Sequence, residues 1–104
     1  MGYYIRQLLI GCKDDTHQQI VCDKIKELTK IDSIYKASIL KCVDSSDYEY
    51  VNMNFDYSVM LYFKNYNDIE KYCSHILHLD FVKNMLSKID IVVFEYYWNC
   101  DGDL

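Results

Sequence analysis

The stretch that decides the fold is Tyr57 to Trp98, YSVMLYFKNYNDIEKYCSHILHLDFVKNMLSKIDIVVFEYYW. Tyr57, Val59, Leu61 and Phe63 alternate with Ser58, Met60 and Tyr62, and a period of two is strand spacing. The spacing then changes. Ile69, Tyr72, Cys73 and Ile76 fall at i, i+3, i+4 and i+7, which is one face of a helix. His78, Phe81, Val82, Met85, Leu86 and Ile89 continue at helical spacing. Ile91 to Tyr97 returns to β-branched and aromatic residues, which favour a pleated strand. The stretch reads as strand, broken helix, strand.

Working outward, Tyr3 to Cys12 reads as a first strand. Tyr4, Leu8, Ile10 and Cys12 lie on one side of it, and Ile5 and Leu9 on the other. Thr16 with Gln19 has the capping-box pattern that starts a helix. The inward stripe of that helix is expected from Ile20, Val21, Ile25 and Leu28, with Asp23, Lys24, Lys26 and Glu27 facing water. Ile34 to Val43 reads as a second strand. Asp44 to Asp56 is a polar connection that has room for a partial hairpin at Tyr48 to Met53. The order β-α-β-β-α-β is an α+β, ferredoxin-like arrangement with a four-stranded antiparallel sheet and a broken second helix. Residues 1–98 are expected to form one domain, followed by a short acidic tail at 99–104.

Two helices cover one face of such a sheet. The other face is not polar enough to stay wet, because both sets are apolar: Met60 and Tyr62 oppose Val59, Leu61 and Phe63, and Val92, Phe94 and Tyr96 oppose Ile91, Val93 and Tyr97. At about 25 cal/mol per Å² of apolar area, exposing such a set forfeits several kcal/mol. The simplest second cover is another copy of the chain, sheet against sheet. A homodimer closing a β-barrel is the expectation.

Composition narrows the function classes. The 104 residues carry a net charge of −5, and Arg6 is the only arginine, which argues against a grip on nucleic acid. No apolar run approaches the roughly 18 residues of a membrane span, and no secretory signal is evident at Met1 to Ile10. A cytoplasmic location follows as the expectation. Cys12, Cys22, Cys42, Cys73 and Cys100 are odd in number and form no C-x-x-C pair. Reduced thiols are therefore expected in place of disulfides or a structural zinc site. The many tyrosines read chiefly as core and rim residues of a chain rich in Ile, Lys, Asn and Tyr.

The concentrated chemistry is Tyr72, Cys73, His75 and His78, at the break in the helix. An imidazole moves a proton near neutral pH, and a phenol beside it orients a substrate oxygen. The bland alternative is that the histidines cap a turn and Tyr72 fills the core. Cys73, His75 and His78 do not share one helix face, so no metal site is expected. No cofactor ligand set is specified either.

Leu61-Tyr62-Phe63, Asn65 to Lys71, Tyr72, His75, His78, Phe81-Val82 and Val93-Phe94-Glu95-Tyr96 resemble the C-terminal half of the stress-responsive alpha/beta barrel (Dabb) family. Ile76 stands where that family usually has proline. The resemblance implies a two-chain barrel of eight strands. In a Dabb polyketide cyclase that works by aldol condensation, the catalytic tyrosine and histidine match Tyr72 and His78. Its other active-site histidines fall on Gln7 and Tyr57. Gln7 hydrogen-bonds but is no general base. The implied site is then Tyr72 and His78 as catalytic residues, with Gln7, Tyr57, His75 and Phe81 binding a substrate. Three readings stand: a non-catalytic stress-response-type dimer; a binder of a small apolar or aromatic ligand, or a cyclase-like enzyme; and a monooxygenase-like dimer.

Overall fold

A computed structural model describes residues 2–43 and 55–99 of the chain. Its elements are β1 (Gly2–Cys12), α1 (Gln18–Leu28), β2 (Lys36–Lys41), β3 (Tyr57–Phe63), α2 (Tyr66–Ser74), α3 (Ile76–Met85) and β4 (Ile89–Asn99). The sheet order is β2-β3-β1-β4, with every neighbouring pair antiparallel. This is the expected ferredoxin-like fold. The proposed hairpin at Tyr48 to Met53 and the tail beyond Asn99 lie outside the described residues.

Register separates the two faces. Tyr4, Arg6, Leu8 and Ile10 of β1 pair across to Phe63, Leu61, Val59 and Tyr57 of β3. On the other flank they pair to Tyr97, Glu95, Val93 and Ile91 of β4. This is the helix side, and with Val21, Ile25, Leu28, Ile69, Tyr72, Phe81 and Met85 it makes the core. The opposite side carries Ile5, Gln7 and Leu9, then Ser58, Met60 and Tyr62, then Val92, Phe94 and Tyr96. Among the described residues no helix lies on it.

The helix starts and breaks differ in detail from the sequence reading. Asp14, not Thr16, caps the first turn: its carboxylate accepts from the Thr16 amide at 2.9 Å. A single 3₁₀ turn, Asp15–His17, leads into α1. Val21, Ile25 and Leu28 are buried as expected, but Ile20 is exposed. One residue before Val21 lies about 100° around the helix, off the inward stripe. Lys24 reaches across to Asp80 of α3 at 3.0 Å and ties the two helices together.

His75 makes the break between α2 and α3. Its backbone is extended (φ −68°, ψ 144°), and its Nδ1 accepts from the Leu77 amide at 3.1 Å, capping α3. The break resets the helical phase. Ile69 and Tyr72 are buried, while Ile76 is exposed instead of continuing their stripe. Ile76 is the first residue of α3, a position where proline fits without losing a hydrogen bond. The cap keeps the break that proline would otherwise enforce. Ile89 belongs to β4 instead of extending α3; Lys88 has already closed the helix end by donating to the Met85 carbonyl at 2.8 Å.

Candidate functional site

Tyr72 ends the buried stripe of α2 and sits in the core, 1% exposed. Its ring meets Phe63 edge-on at 5.5 Å between centroids and lies 4.6 Å from the His78 imidazole. The break at His75 turns the chain so that the first turn of α3 brings His78 back over Tyr72. His78 Nδ1 lies 2.9 Å from the Cys73 carbonyl oxygen. A carbonyl only accepts, so Nδ1 carries the proton, and in the neutral ring Nε2 is the free base.

Arg6 completes the cluster from the sheet. Its guanidinium carbon sits 5.8 Å from the Tyr72 ring centroid. Nη1 donates to Cys73 Sγ at 3.3 Å, and Nη2 donates to Glu95, its neighbour on β4. Between these groups, α3 and the sheet lies a cavity of about 160 Å³. Arg6, Tyr72, His78 and Phe81 line it, with apolar walls from Leu86 and Val93.

The electrostatics separate the roles. Burial pushes the Tyr72 phenol well above its ordinary value, against the pull of Arg6. It stays protonated and can only donate or share its proton. Burial, helped by the Arg6 charge, holds His78 below its ordinary value, although its bond to the Cys73 carbonyl works the other way. At neutral pH the imidazole is therefore uncharged and basic. Burial also opposes the Arg6 charge, but the hydrogen bonds to Glu95 and Cys73 outweigh it and its pKa is raised. A neutral acid, a neutral base and a fixed cation thus converge on one small apolar space. Such a set can polarise a carbonyl and move a proton beside it.

The structure brings together Tyr72, His78 and Phe81, and sets the other expected site residues apart. Gln7 lies on the opposite side of the sheet, where its amide donates to Ser58 Oγ at 3.2 Å and accepts from the Tyr96 hydroxyl at 3.3 Å. Strand alternation forces this, because shifting one residue along a strand changes its face. Tyr57 is on the helix side but at the far end of β3. Its hydroxyl donates to Gln18 at 3.1 Å beside a separate groove with Cys22 and Asp56. His75 is spent on its cap. The residue that the sequence reading missed is Arg6. Its signal was present: position 6 falls between Tyr4 and Leu8 on the inward alternation of the first strand.

Among the described residues, no group of three His, Cys, Asp or Glu side chains is placed to hold a metal ion. Cys12, Cys22, Cys42 and Cys73 are free thiols. Burial, then Asp56 and Asp15, pushes Cys12 up to about 11, so it is a poor nucleophile. No described helix is long and apolar enough to cross a membrane.

A family model described as the stress responsive A/B barrel domain, Dabb, matches residues 5–98. No curated protein matches the sequence. Among solved structures, the chain is similar to a hydroxynitrile lyase from Passiflora edulis at a TM-score of 0.77 and 14% identity, over 93% of this chain and 94% of that one. It is also similar to a Dabb protein with a ferredoxin-like fold from Mesorhizobium loti, at a TM-score of 0.73 and 15% identity, over 92% and 96% of the two chains. A dimeric ferredoxin-like protein of unknown function from Thermobifida fusca aligns at a TM-score of 0.72 and 13% identity, over 91% and 90%. At these identities the likeness is one of fold.

Proposed function

The chain belongs to the stress-responsive A/B barrel (Dabb) family, and from that premise we propose that it is a homodimeric small-molecule binder. Each protomer holds one apolar, oxygen-bearing ligand in the cavity between α3 and the sheet. The observation that carries this reading is the phenol–imidazole pair, Tyr72 and His78, set 4.6 Å apart at the wall of that cavity. At about 160 Å³ the space suits a single ring, since an apolar cavity of about 150 Å³ takes up benzene. Tyr72 donates to a ligand oxygen, and the His78 Nε2 accepts from a ligand hydroxyl.

The same pair supports a second reading, proton transfer at the carbon beside a carbonyl, as in a cyclase-like enzyme. The protonation states favour it, with an acid held neutral next to a base held neutral. The Passiflora edulis lyase indicates that this architecture accommodates catalysis.

The dimer rests on the uncovered side of the sheet, where Val92, Phe94 and Tyr96 stand exposed in the single chain. A second copy laid on it across a two-fold axis closes the eight-stranded barrel. The dimeric Thermobifida fusca neighbour supports the same assembly. A cytoplasmic location belongs to this proposal and rests on the free thiols. The acidic balance, −5 overall, keeps nucleic acid and anionic membrane surfaces outside its partners.

A thermal-shift screen of single-ring ketones, phenols and aryl acids tests the ligand reading, with each hit repeated on Tyr72→Phe and His78→Ala. Hits should weaken tenfold or more on both variants while the fold stays intact. If His78→Ala instead loses roughly 1–3 kcal/mol of stability and no ligand depends on it, the pair is a packing feature and the proposal falls.

A further inference from the structure

Arg6 is the chain's single arginine, and the fold places it under the helices instead of in water. Its side chain is 17% exposed. A guanidinium has five N–H donors in a rigid fork and no acceptor. Only part of that capacity is used here. Nη2 donates to Glu95, a partner that is itself half exposed at 50%. Nη1 donates to a thiol, Cys73 Sγ, which is a weak acceptor. Nε is buried with no partner. A buried donor left unmade carries a real cost, and the cost is larger on a charged group. Side chains of similar volume without charge would fill the same space more favourably unless the cation has a task. The space it borders is the cavity lined by Tyr72, His78 and Phe81.

We infer that Arg6 selects the ligand class: the cavity takes a single-ring compound bearing an anionic oxygen, of the size of an aryl carboxylate or a cyclic enolate. The anion lies on the unfilled edge of the Arg6 fork, and the ring lies against Phe81, Leu86 and Val93. This rests on the proposal that the cavity is a ligand site, and it adds the sign of the ligand's charge. Two features of the cluster suit an anion. The phenol of Tyr72 is held protonated and is ready to donate. The imidazole of His78 is neutral, so it does not compete with Arg6 for the anion; its Nε2 only accepts, which leaves the anionic oxygen to Arg6 and Tyr72. Glu95 is the one carboxylate on the fork, and its exposure allows it to swing away when the ligand oxygen arrives.

Isothermal titration calorimetry on the full chain at pH 7.5 and low salt tests the inference with three single-ring probes of similar size: benzoate, benzamide and benzyl alcohol. Benzoate should bind at least tenfold more tightly than the two neutral probes. Arg6→Gln, which removes the charge, should bring that ratio close to one. Glu95→Gln, at an exposed position, should tighten benzoate several-fold by removing the competing carboxylate. The comparison among probes on the unaltered protein needs no variant, so a poorly folded Arg6→Gln leaves the test intact. Equal affinity for all three probes would overturn the anionic assignment while the ligand cavity stands. Binding of none of them would overturn both. Benzoate preference that survives in Arg6→Gln would assign the anion to some other group and overturn the role given to Arg6.

Discussion

The two faces of the sheet are built from the same strands and meet different fates. On the helix side Ile10, Val59, Leu61 and Phe63 are fully buried. On the other side, Phe94 is 41% and Leu40 55% exposed, although these side chains are no less apolar. The helix side is completed within one chain and can afford a polar cluster, Arg6, Tyr72 and His78, at its margin. The bare side carries its own polar centre, Gln7 with Ser58 and Tyr96, in a field of apolar residues. The contrast teaches that burial in the single chain does not measure what a residue is for. In the proposed dimer, the bare half of this sheet becomes core.

The largest effect that sharpens the contrast comes from changing one side chain on each face. Leu61→Ala, on the covered face, should cost about 2–5 kcal/mol, read by urea denaturation. Phe94→Asp, on the bare face, should leave far-UV circular dichroism intact and halve the sedimentation mass from twice 12.5 kDa to once, because the charge would otherwise be buried unpaired in the dimer. A parent protein that sediments as a stable monomer would break the comparison outright.

A smaller effect separates the polar clusters of the two faces. Folding holds His78 below its ordinary value, whereas the unfolded chain titrates at about 6.5. The folded form therefore disfavours the proton. The His78 contribution is intact above about pH 6.5 and is lost as the pH falls below it. The melting-temperature gap between the parent protein and His78→Asn should shift against the parent from pH 8 to pH 5. Gln7→Leu on the other face should show no such pH dependence. A gap that is constant with pH would contradict the buried, neutral imidazole.

Smaller still is Ile76→Pro. The site is exposed, it opens α3, and His75 before it is already extended, as a residue preceding proline prefers. The change should stabilise by about 0.4–1 kcal/mol through the unfolded chain, measured by denaturant midpoint. Lost stability would mean that the break at His75 depends on the isoleucine. The smallest expected effect is none: the melting temperature should be the same with and without reductant, because Cys12, Cys22, Cys42 and Cys73 are free. A drop of many degrees on reduction would reveal a disulfide.

The sequence by itself determined the strand and helix order, a break in the second helix between Tyr72 and His78, and the two-sided apolar character of the strands. Each of these is a local periodicity, and the side chains that report it are neighbours in the chain. It also brought Tyr72 and His78 into view, because both lie within one short segment. What only the tertiary structure decided is which strand residues join them. Gln7 and Tyr57 looked like partners by alignment, but strand register put Gln7 on the opposite face and Tyr57 at the far end. Arg6 took the place beside Tyr72 because position 6 shares the inward alternation of Leu8 and Ile10 and pairs with Glu95 across the sheet. The start of the first helix was also settled in three dimensions, by an Asp14 carboxylate that caps the turn before it. Which of Phe94 and Val92 faces the bare side was equally undecided until pairing with Gln7 and Leu9 placed both there. Spacing along the chain fixes which side chains share a face, while cross-strand pairing and helix docking alone determine what that face meets.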